Sequence, residues 1–359
     1  MKLTKPCFYD KFTCIADKCT DNCCIGWEVD IDEFSMAMYE SEKSAFGERL
    51  RSAIHRDGEC PTFANTAGER CALLREDGLC ELVLNMGEDA LCDICALHPR
   101  FFEWFGEEKE AGLGLCCEEV CRLMFAEKEP LSFATAETDE ECDGEVDERL
   151  FAFLKAARER LFALLQQREI PLADRLVSAA DYAREVQERI NCGDYTLPEP
   201  KSVEFDVDPI MRRYAVRSML RTLSESEPLN DEWTQRIATL LSRSDEIADA
   251  LPQFLAANAE TAFQYEHIAV YALYRYFLKG CFDEEVKGKF GLAVVNVAAV
   301  AAMDCLTWLE KGSLSEWDRI LNTKLYSKQV DYSDEVITWL CYKLRTGVIS
   351  AEQLAASLR

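Results

Sequence analysis

Cysteine is the residue type with the greatest capacity for chemistry in this chain. The 359 residues include 18 cysteines, and thirteen of them lie within residues 7–121. The first group is Cys14, Cys19, Cys23 and Cys24. Thiolates this close in irregular backbone can converge on one ion or cluster, and such soft ligands select zinc, copper(I) or iron–sulfur. The alternative is a set of free thiols that pack as small hydrophobic groups.

A second group of cysteines has the spacing of metal ligands. Cys71 and Cys80 are followed by the pair Cys92-x2-Cys95. Cys-x2-Cys is a standard ligand spacing for zinc and iron–sulfur sites. It also suits a helix, where residues three apart share a face. A third group contains Cys116, Cys117 and Cys121.

Several common catalytic motifs are missing from the sequence. No G-x-G-x-x-G follows a strand pattern, so no Rossmann-type methyl-donor or dinucleotide site is indicated, and there is no P-loop. The three histidines are His55, His98 and His267, too few for an easily assembled His-based metal site or Ser-His-Asp triad. His98 lies near Cys95 in sequence, and a supporting or structural role is expected rather than ligation.

Two side chains near the cysteines are candidate cofactor contacts. Arg100 could contact an anionic cofactor group, with an ion pair to an acidic residue as the alternative. Trp27 could shield a cluster from water or stack on a cofactor, with ordinary core packing as the alternative.

The charge of the chain is strongly negative. Forty basic and 66 acidic side chains give a net charge of −26. Such a charge repels nucleic acid and anionic membranes, and it favours a basic partner. Added solubility is the simpler explanation. Glu28, Asp30 and Asp32 alternate along a short extended segment, so they form either a solvated acidic face or a binding face for a substrate lysine.

Secondary-structure elements must position these side chains, and the spacing of apolar residues predicts a mainly α fold. An irregular, cysteine-rich metal-binding domain is expected over residues 1–130, and an all-helical, bundle-like domain over residues 145–359. An acidic segment at 137–145 separates them. Apolar residues then recur at three- and four-residue spacing, which is typical of amphipathic helices. Helices are predicted at 34–56, 87–97, 118–128, 150–165, 172–191, 208–225, 230–242, 245–280, 284–311, 315–329, 333–346 and 350–358.

The sequence favours a cytoplasmic location. The first ten residues are polar and lack the apolar core of a secretory signal. The longest apolar stretch, 290–303, is interrupted by Asp304 and predicts a buried helix rather than a membrane span. In a reducing cytosol, clustered cysteines indicate metal ligation or thiol chemistry rather than disulfides.

The cysteine segments resemble the N-terminal region of flagellin lysine N-methylases. The first block matches at Cys14, Cys19, Cys23-Cys24, Gly26-Trp27 and Tyr39, and the second at Cys71, Cys80, Gly87-Glu88, Cys92, Cys95 and Pro99-Arg100. A third block contains Cys117, Glu119 and Arg122-Leu123. Departures from the family pattern are His98, Glu118 and Cys121, and none removes a cysteine. The resemblance covers about residues 7–125.

The resemblance implies a protein-lysine N-methyltransferase that uses S-adenosylmethionine and a [4Fe–4S] cluster, with zinc as the alternative metal. Its substrate would be a flagellin-like protein with surface lysines. The catalytic residue is not assigned. The expected metal ligands come from a pool of seven: Cys19, Cys23, Cys24, Cys80, Cys92, Cys95 and Cys117. The alternative function is a non-enzymatic interaction module stapled by zinc or iron–sulfur.

Overall fold

The computed structural model describes residues 1–20, 22–26, 28–58, 60–140 and 144–359. Helices predominate, which confirms the prediction of a mainly α fold. The α-helices in these ranges are α1 (Glu33–Ser41), α2 (Ala45–Ser52), α3 (Glu81–Met86), α4 (Asp93–Leu97), α5 (Glu118–Ala126), α6 (Glu148–Leu165), α7 (Leu172–Asn191), α8 (Pro209–Glu225), α9 (Asp231–Ser242), α10 (Ser244–Ala257), α11 (Phe263–Tyr276), α12 (Gly280–Asp283), α13 (Lys287–Lys311), α14 (Glu316–Val330), α15 (Asp334–Arg345) and α16 (Ala351–Ala356). The strands are β1 (Lys2–Pro6), β2 (Ile54–His55), β3 (Thr62–Phe63), β4 (Asn65–Thr66), β5 (Arg70–Cys71), β6 (Arg100–Phe105), β7 (Glu108–Leu113) and β8 (Phe133–Glu137).

A four-stranded mixed sheet between residues 2 and 137 was not anticipated. Its strand order is β6-β7-β1-β8, with β1 parallel to β7 and antiparallel to β8. Gly112 allows the ring of Phe101 to lie across the sheet, because a Cβ at this position would be only 2.1 Å from the ring. The Tyr274 hydroxyl donates to the carbonyls of Thr4 and Ala111, at 2.8 and 3.0 Å. The sheet is therefore fixed directly to α11.

The helices of the second part follow the prediction closely. Asn230, Ser315 and Ser350 cap α9, α14 and α16 by accepting a backbone N–H in the first turn, as Ser and Asn caps do. Helix α10 begins at Ser244 and has no side-chain cap. The long helix expected at 245–280 is interrupted after α10 and again after α11.

Helix α13 is the central helix of this part. Every residue from Gly288 to Thr307 is buried, and the surrounding helices include α7, α10, α11, α14, α15 and α16. Among the described residues, this helix alone has the length and composition to cross a membrane, but 89% of its apolar window is buried within the fold. It therefore packs as the core helix that the sequence predicted.

The cysteine segments have a small core of their own. Val29, Ile31, Tyr39, Leu50 and Cys92 belong to this cluster of buried side chains, whereas the sheet shares its core with the helices. The helix expected at 34–56 is divided into α1 and α2, with Ser44 capping α2. The one expected at 87–97 is limited to α4, which a short 3-10 turn precedes. The domain limits at 130 and 145 stay a prediction.

Candidate cysteine centre

Backbone hydrogen bonds join two cysteine-bearing loops that are distant in sequence. The Cys71 N–H donates to the Cys24 carbonyl at 2.8 Å, and the Gly26 N–H donates to the Glu69 carbonyl at 3.0 Å. Gly26 has φ +92°, which glycine adopts readily. This short ladder places Cys24 beside Cys71.

A tight turn then returns the chain to the same place. The Arg75 N–H donates to the Leu79 carbonyl at 2.9 Å, and Gly78 within the turn has φ +79°. An isolated antiparallel bridge pairs Leu74 with Cys80, the N-cap residue of α3. Cys71 and Cys80 are therefore brought together at the open end of this turn.

Helix α4 contributes the Cys-x2-Cys pair. Cys92 is fully buried at the N-cap position, and Cys95 lies in the first turn, where the two thiols share a hydrogen bond. The Asp32 carboxylate anchors this helix by accepting the Asp93 N–H at 3.0 Å. The same carboxylate caps α1 through the Ser35 N–H at 2.8 Å. One aspartate thus connects the starts of two helices beside the cysteines.

The proximity of these segments affects the electrostatics of the thiols. A hydrogen bond with Cys23, burial and the nearby sulfurs of Cys71 and Cys80 raise the pKa of Cys24 far above its usual value. Burial raises the pKa of Cys71, although hydrogen bonds from backbone N–H groups oppose that shift.

Cys95 belongs to the same group. A hydrogen bond with Cys92 raises its pKa strongly, with further contributions from burial and from Cys24 and Cys71. The hydrogen bond from Cys95 in turn lowers the pKa of Cys92. We refer to Cys24, Cys71, Cys80, Cys92 and Cys95 as the cysteine centre.

Cys117 lies at the start of α5, beside the loop that carries Cys14, Cys19, Cys23 and Cys24, which we call the first cysteine loop. Burial raises its pKa to about 11, and its surroundings include Cys23 and Cys14. The next residue, Glu118, is 2% exposed. Its carboxylate accepts both the backbone N–H and the hydroxyl of Thr20, each at 2.8 Å, and lies 3.9 Å from the Lys324 ammonium. The loop is thereby attached to α5 and α14.

The other residues predicted for the site have different surroundings. Cys19 is half-buried in the first cysteine loop, directly after a 3-10 turn. Arg100 lies over the ring of Phe12, 5.2 Å from its centroid, and also bonds to Tyr9. Trp27 lies outside the described residues. Cys71 was recognised in the second cysteine group but left out of the ligand pool, and the structure places it within the centre.

The cysteine centre matches a soft metal or cluster in the chemistry of its donors. Thiolates are the preferred ligands of zinc and of iron–sulfur clusters. In the described ranges, however, no group of three or more His, Cys, Asp or Glu side chains is already arranged to hold a metal ion. The nature of the bound group stays a prediction.

A buried polar cluster next to Cys117 was not found by sequence reasoning. The Cys116 sulfur lies 2.9 Å from the Tyr332 hydroxyl. Asp331 accepts a hydrogen bond from the Tyr276 hydroxyl at 2.6 Å, and the Arg275 guanidinium donates to the Tyr271 hydroxyl at 2.7 Å. Only the folded chain brings these residues together, and no local motif marks them.

Fold and site together define a mainly helical protein with a cysteine centre on its N-terminal side. Residues 158–356 match the model of the FliB lysine N-methylase C-terminal domain. The chain belongs to this family, which confirms the resemblance inferred from the cysteine segments.

Curated relatives agree with this assignment. The flagellar biosynthetic protein FliU of Salmonella muenchen is 30% identical over 128 residues, which cover 33% of this chain and 73% of FliU. The lysine-N-methylases of Salmonella typhimurium and Salmonella choleraesuis are each 26% identical over 152 residues, which cover 37% of this chain and 34% of theirs. The match thus spans about a third of these two enzymes. No solved structure matches the chain significantly.

Proposed function

We propose that this protein is an S-adenosylmethionine-dependent protein-lysine N-methyltransferase that acts on flagellin or a flagellin-like protein. The observation that carries the proposal is the convergence of five cysteines in a member of the lysine N-methylase family. The names of the relatives, lysine-N-methylase and flagellar biosynthetic protein, support the reaction and the class of substrate.

The cofactor in this proposal is a [4Fe–4S] cluster held by residues of the cysteine centre. Four ligands would come from Cys24, Cys71, Cys80, Cys92 and Cys95, with Cys23 and Cys117 adjacent. When bound, the cluster would supply an iron site open to the methyl donor. The Asp32 carboxylate keeps α4 in place, and the backbone ladder at Cys24 and Cys71 fixes the two loops.

The reaction transfers a methyl cation equivalent to nitrogen. The neutral ε-amine of lysine attacks the methyl carbon, the carbon–sulfur bond of the sulfonium breaks, and S-adenosylhomocysteine leaves. Because lysine is normally an ammonium ion, it must first lose a proton to a carboxylate or to water. Glu28 and Asp30 are exposed near the cysteine segments, where they attract an ammonium group.

The test begins with anaerobic purification and measurement of iron, sulfide, zinc and the visible spectrum. About four irons and four sulfides per chain, with a brown charge-transfer band, would support the cluster. The protein is then incubated with radiolabelled methyl donor and purified flagellin, and lysine methylation is located by mass spectrometry. Iron-loaded protein that transfers no label to flagellin would refute the proposed activity.

The alternative is a non-enzymatic interaction module stapled by zinc or iron–sulfur. One observation favours it: two cavities in the described part of the chain measure about 130 and 10 Å³, below the roughly 300–1,000 Å³ of usual ligand pockets. The larger cavity is lined by Ala180, Phe290 and Leu344, and no residue of the cysteine centre lines either one. Colourless, zinc-loaded protein that binds no methyl donor would favour this function.

A further inference from the structure

The two segments that supply most of the cysteine centre carry no Lys or Arg. Residues 19–42 contain seven Asp or Glu and no Lys or Arg, and residues 81–99 contain four Asp or Glu and no Lys or Arg. The rest of the chain holds all 40 basic side chains. A surface of one charge sign attracts groups of the opposite sign and raises their local concentration. Arginines from elsewhere pair with Glu40 and Glu81, and the remaining acids of the two segments favour a cationic partner.

The fold brings these two segments together at one surface. Asp32 joins the starts of α1 and α4, as described above, and the Tyr39 hydroxyl on α1 donates to the Ala90 carbonyl before α4 at 2.7 Å. The first turns of the two helices are thus held side by side. Each presents an exposed acidic residue at its first position, Glu33 on α1 and Asp93 on α4.

Large apolar side chains are exposed beside these acids. Phe34 is 80% exposed on α1, and Ile94 and Leu97 are 38% and 43% exposed on α4. Ile94 and Leu97 share a helix face because they are three residues apart. Cys92, at the start of the same helix, is fully buried. We call Glu33, Phe34, Asp93, Ile94 and Leu97 the α1–α4 face. One of its two helices, α4, carries Cys95 of the centre and has Cys92 at its N-cap.

An acidic extended segment precedes this face. Val29 and Ile31 are buried while Glu28 and Asp30 are exposed, which matches the alternation read from the sequence. The backbone of the segment is fixed by hydrogen bonds from Ile31 N–H to the Pro61 carbonyl at 2.8 Å and from Phe63 N–H to the Val29 carbonyl at 3.0 Å. Glu28 and Asp30 therefore project to solvent from a fixed backbone.

We propose that the α1–α4 face is the docking surface for the protein substrate, and that it binds a lysine-bearing segment with an adjacent apolar side chain. This inference rests on the proposed function. Charge complementarity indicates the occupant. The face has two acidic side chains, and residues 19–42 and 81–99 contain no Lys or Arg, so a basic peptide segment suits it. Phe34 and Ile94 supply the apolar contact, and large apolar anchors contribute most to such interfaces.

The experiment compares matched variants of the full-length, metal-loaded protein. Glu33→Lys/Asp93→Lys reverses the charge of the face, and Asp231→Lys is the charge control, because Asp231 is also an exposed first residue of a helix. Phe34→Ser removes the apolar contact. Its control is Ile210→Ser, because Ile210 is 77% exposed at the second position of α8. Metal content and thermal unfolding are measured for each variant.

Steady-state methylation of purified flagellin gives the first readout. We expect KM to rise about tenfold in the charge variant and several-fold in Phe34→Ser, with kcat unchanged and both controls within about twofold of the wild type. Methylation of a small free amine, Nα-acetyl-lysine amide, should stay constant. Loss of kcat at unchanged KM, or an unchanged KM in both variants, would refute the proposal that this face is the docking surface.

Direct binding separates this proposal from the proposed activity. Fluorescence anisotropy with labelled flagellin is measured at low and high salt, whether or not methylation occurs. Binding that weakens with salt and is lost in both face variants supports docking, even if the wild type transfers no methyl group. A wild type that binds no flagellin, or face variants that bind it as tightly as the controls, would refute docking.

Discussion

Replacement of Glu118 by alanine should release the first cysteine loop from the helical part of the protein. The Glu118 carboxylate accepts two hydrogen bonds from Thr20, at 2.8 Å each, and the side chain is 2% exposed. Hydrogen bonds to charged groups contribute about 1.5–3 kcal/mol each. The lower figure gives about 3 kcal/mol for the two hydrogen bonds together. Because about 1.4 kcal/mol changes an equilibrium constant tenfold, the equilibrium constant for opening of the loop should rise roughly 100-fold.

Limited proteolysis measures this opening directly. Lys18 is exposed within the loop, but cleavage after it requires the surrounding backbone to open. When closing is faster than cleavage, the cleavage rate follows the opening equilibrium, so trypsin should cut the variant after Lys18 roughly 100-fold faster. Glu119→Ala is the control, because Glu119 pairs with Arg122 on the same helix. Cleavage of Glu118→Ala within threefold of the wild type would refute this role for Glu118.

Three further changes test the core and the centre. Cys92→Ser should remove most of the bound iron in anaerobic preparations. Cys305 is buried in α13, so the control Cys305→Ser should keep the iron. Equal iron content in the two variants would contradict the assignment of Cys92. Asp304→Leu should lower the free energy of unfolding in urea by about 3–5 kcal/mol, because it leaves Arg319 buried without its partner at 2.8 Å. The double variant with Arg319→Met should lose less, and equal losses would contradict the ion-pair explanation. Burial lowers the pKa of His267, so the unfolded chain takes up a proton first as pH falls below about 6.5. The free energy of unfolding then decreases by at most about 1.4 kcal/mol per pH unit. In urea unfolding between about pH 7.5 and 5.5, His267→Asn should show a smaller decrease than the wild type.

The sequence predicted the helices well because their signals are local. Apolar spacing over several turns and capping residues such as Asn230 and Ser315 lie within the helix itself. The mixed sheet was missed because its strands are short and pair over long separations. Lys2 pairs with Glu108 and with Glu137, and no alternating pattern in five residues predicts such partners.

The same distinction between local and distant contacts applies to the cysteines. Cys92 and Cys95 were selected as candidates from their spacing, which already places both thiols on one helical turn. Cys71 was left out of the pool, and its place beside Cys24 depends on a backbone hydrogen bond between two loops. The cluster of Arg275, Asp331 and Tyr332 has no sequence motif at all.

The cysteine segments and the matched family domain are in contact in space, although they are separate in sequence. The family match begins at residue 158, after the last residue of the cysteine centre. Glu118 nevertheless contacts Lys324 of that domain, and Cys116 contacts Tyr332. Both contacts lie at the start of α5, next to Cys117. Glu118 in turn holds Thr20 of the loop that carries Cys24, so the helical domain is connected to that loop through contacts in space and not only along the chain.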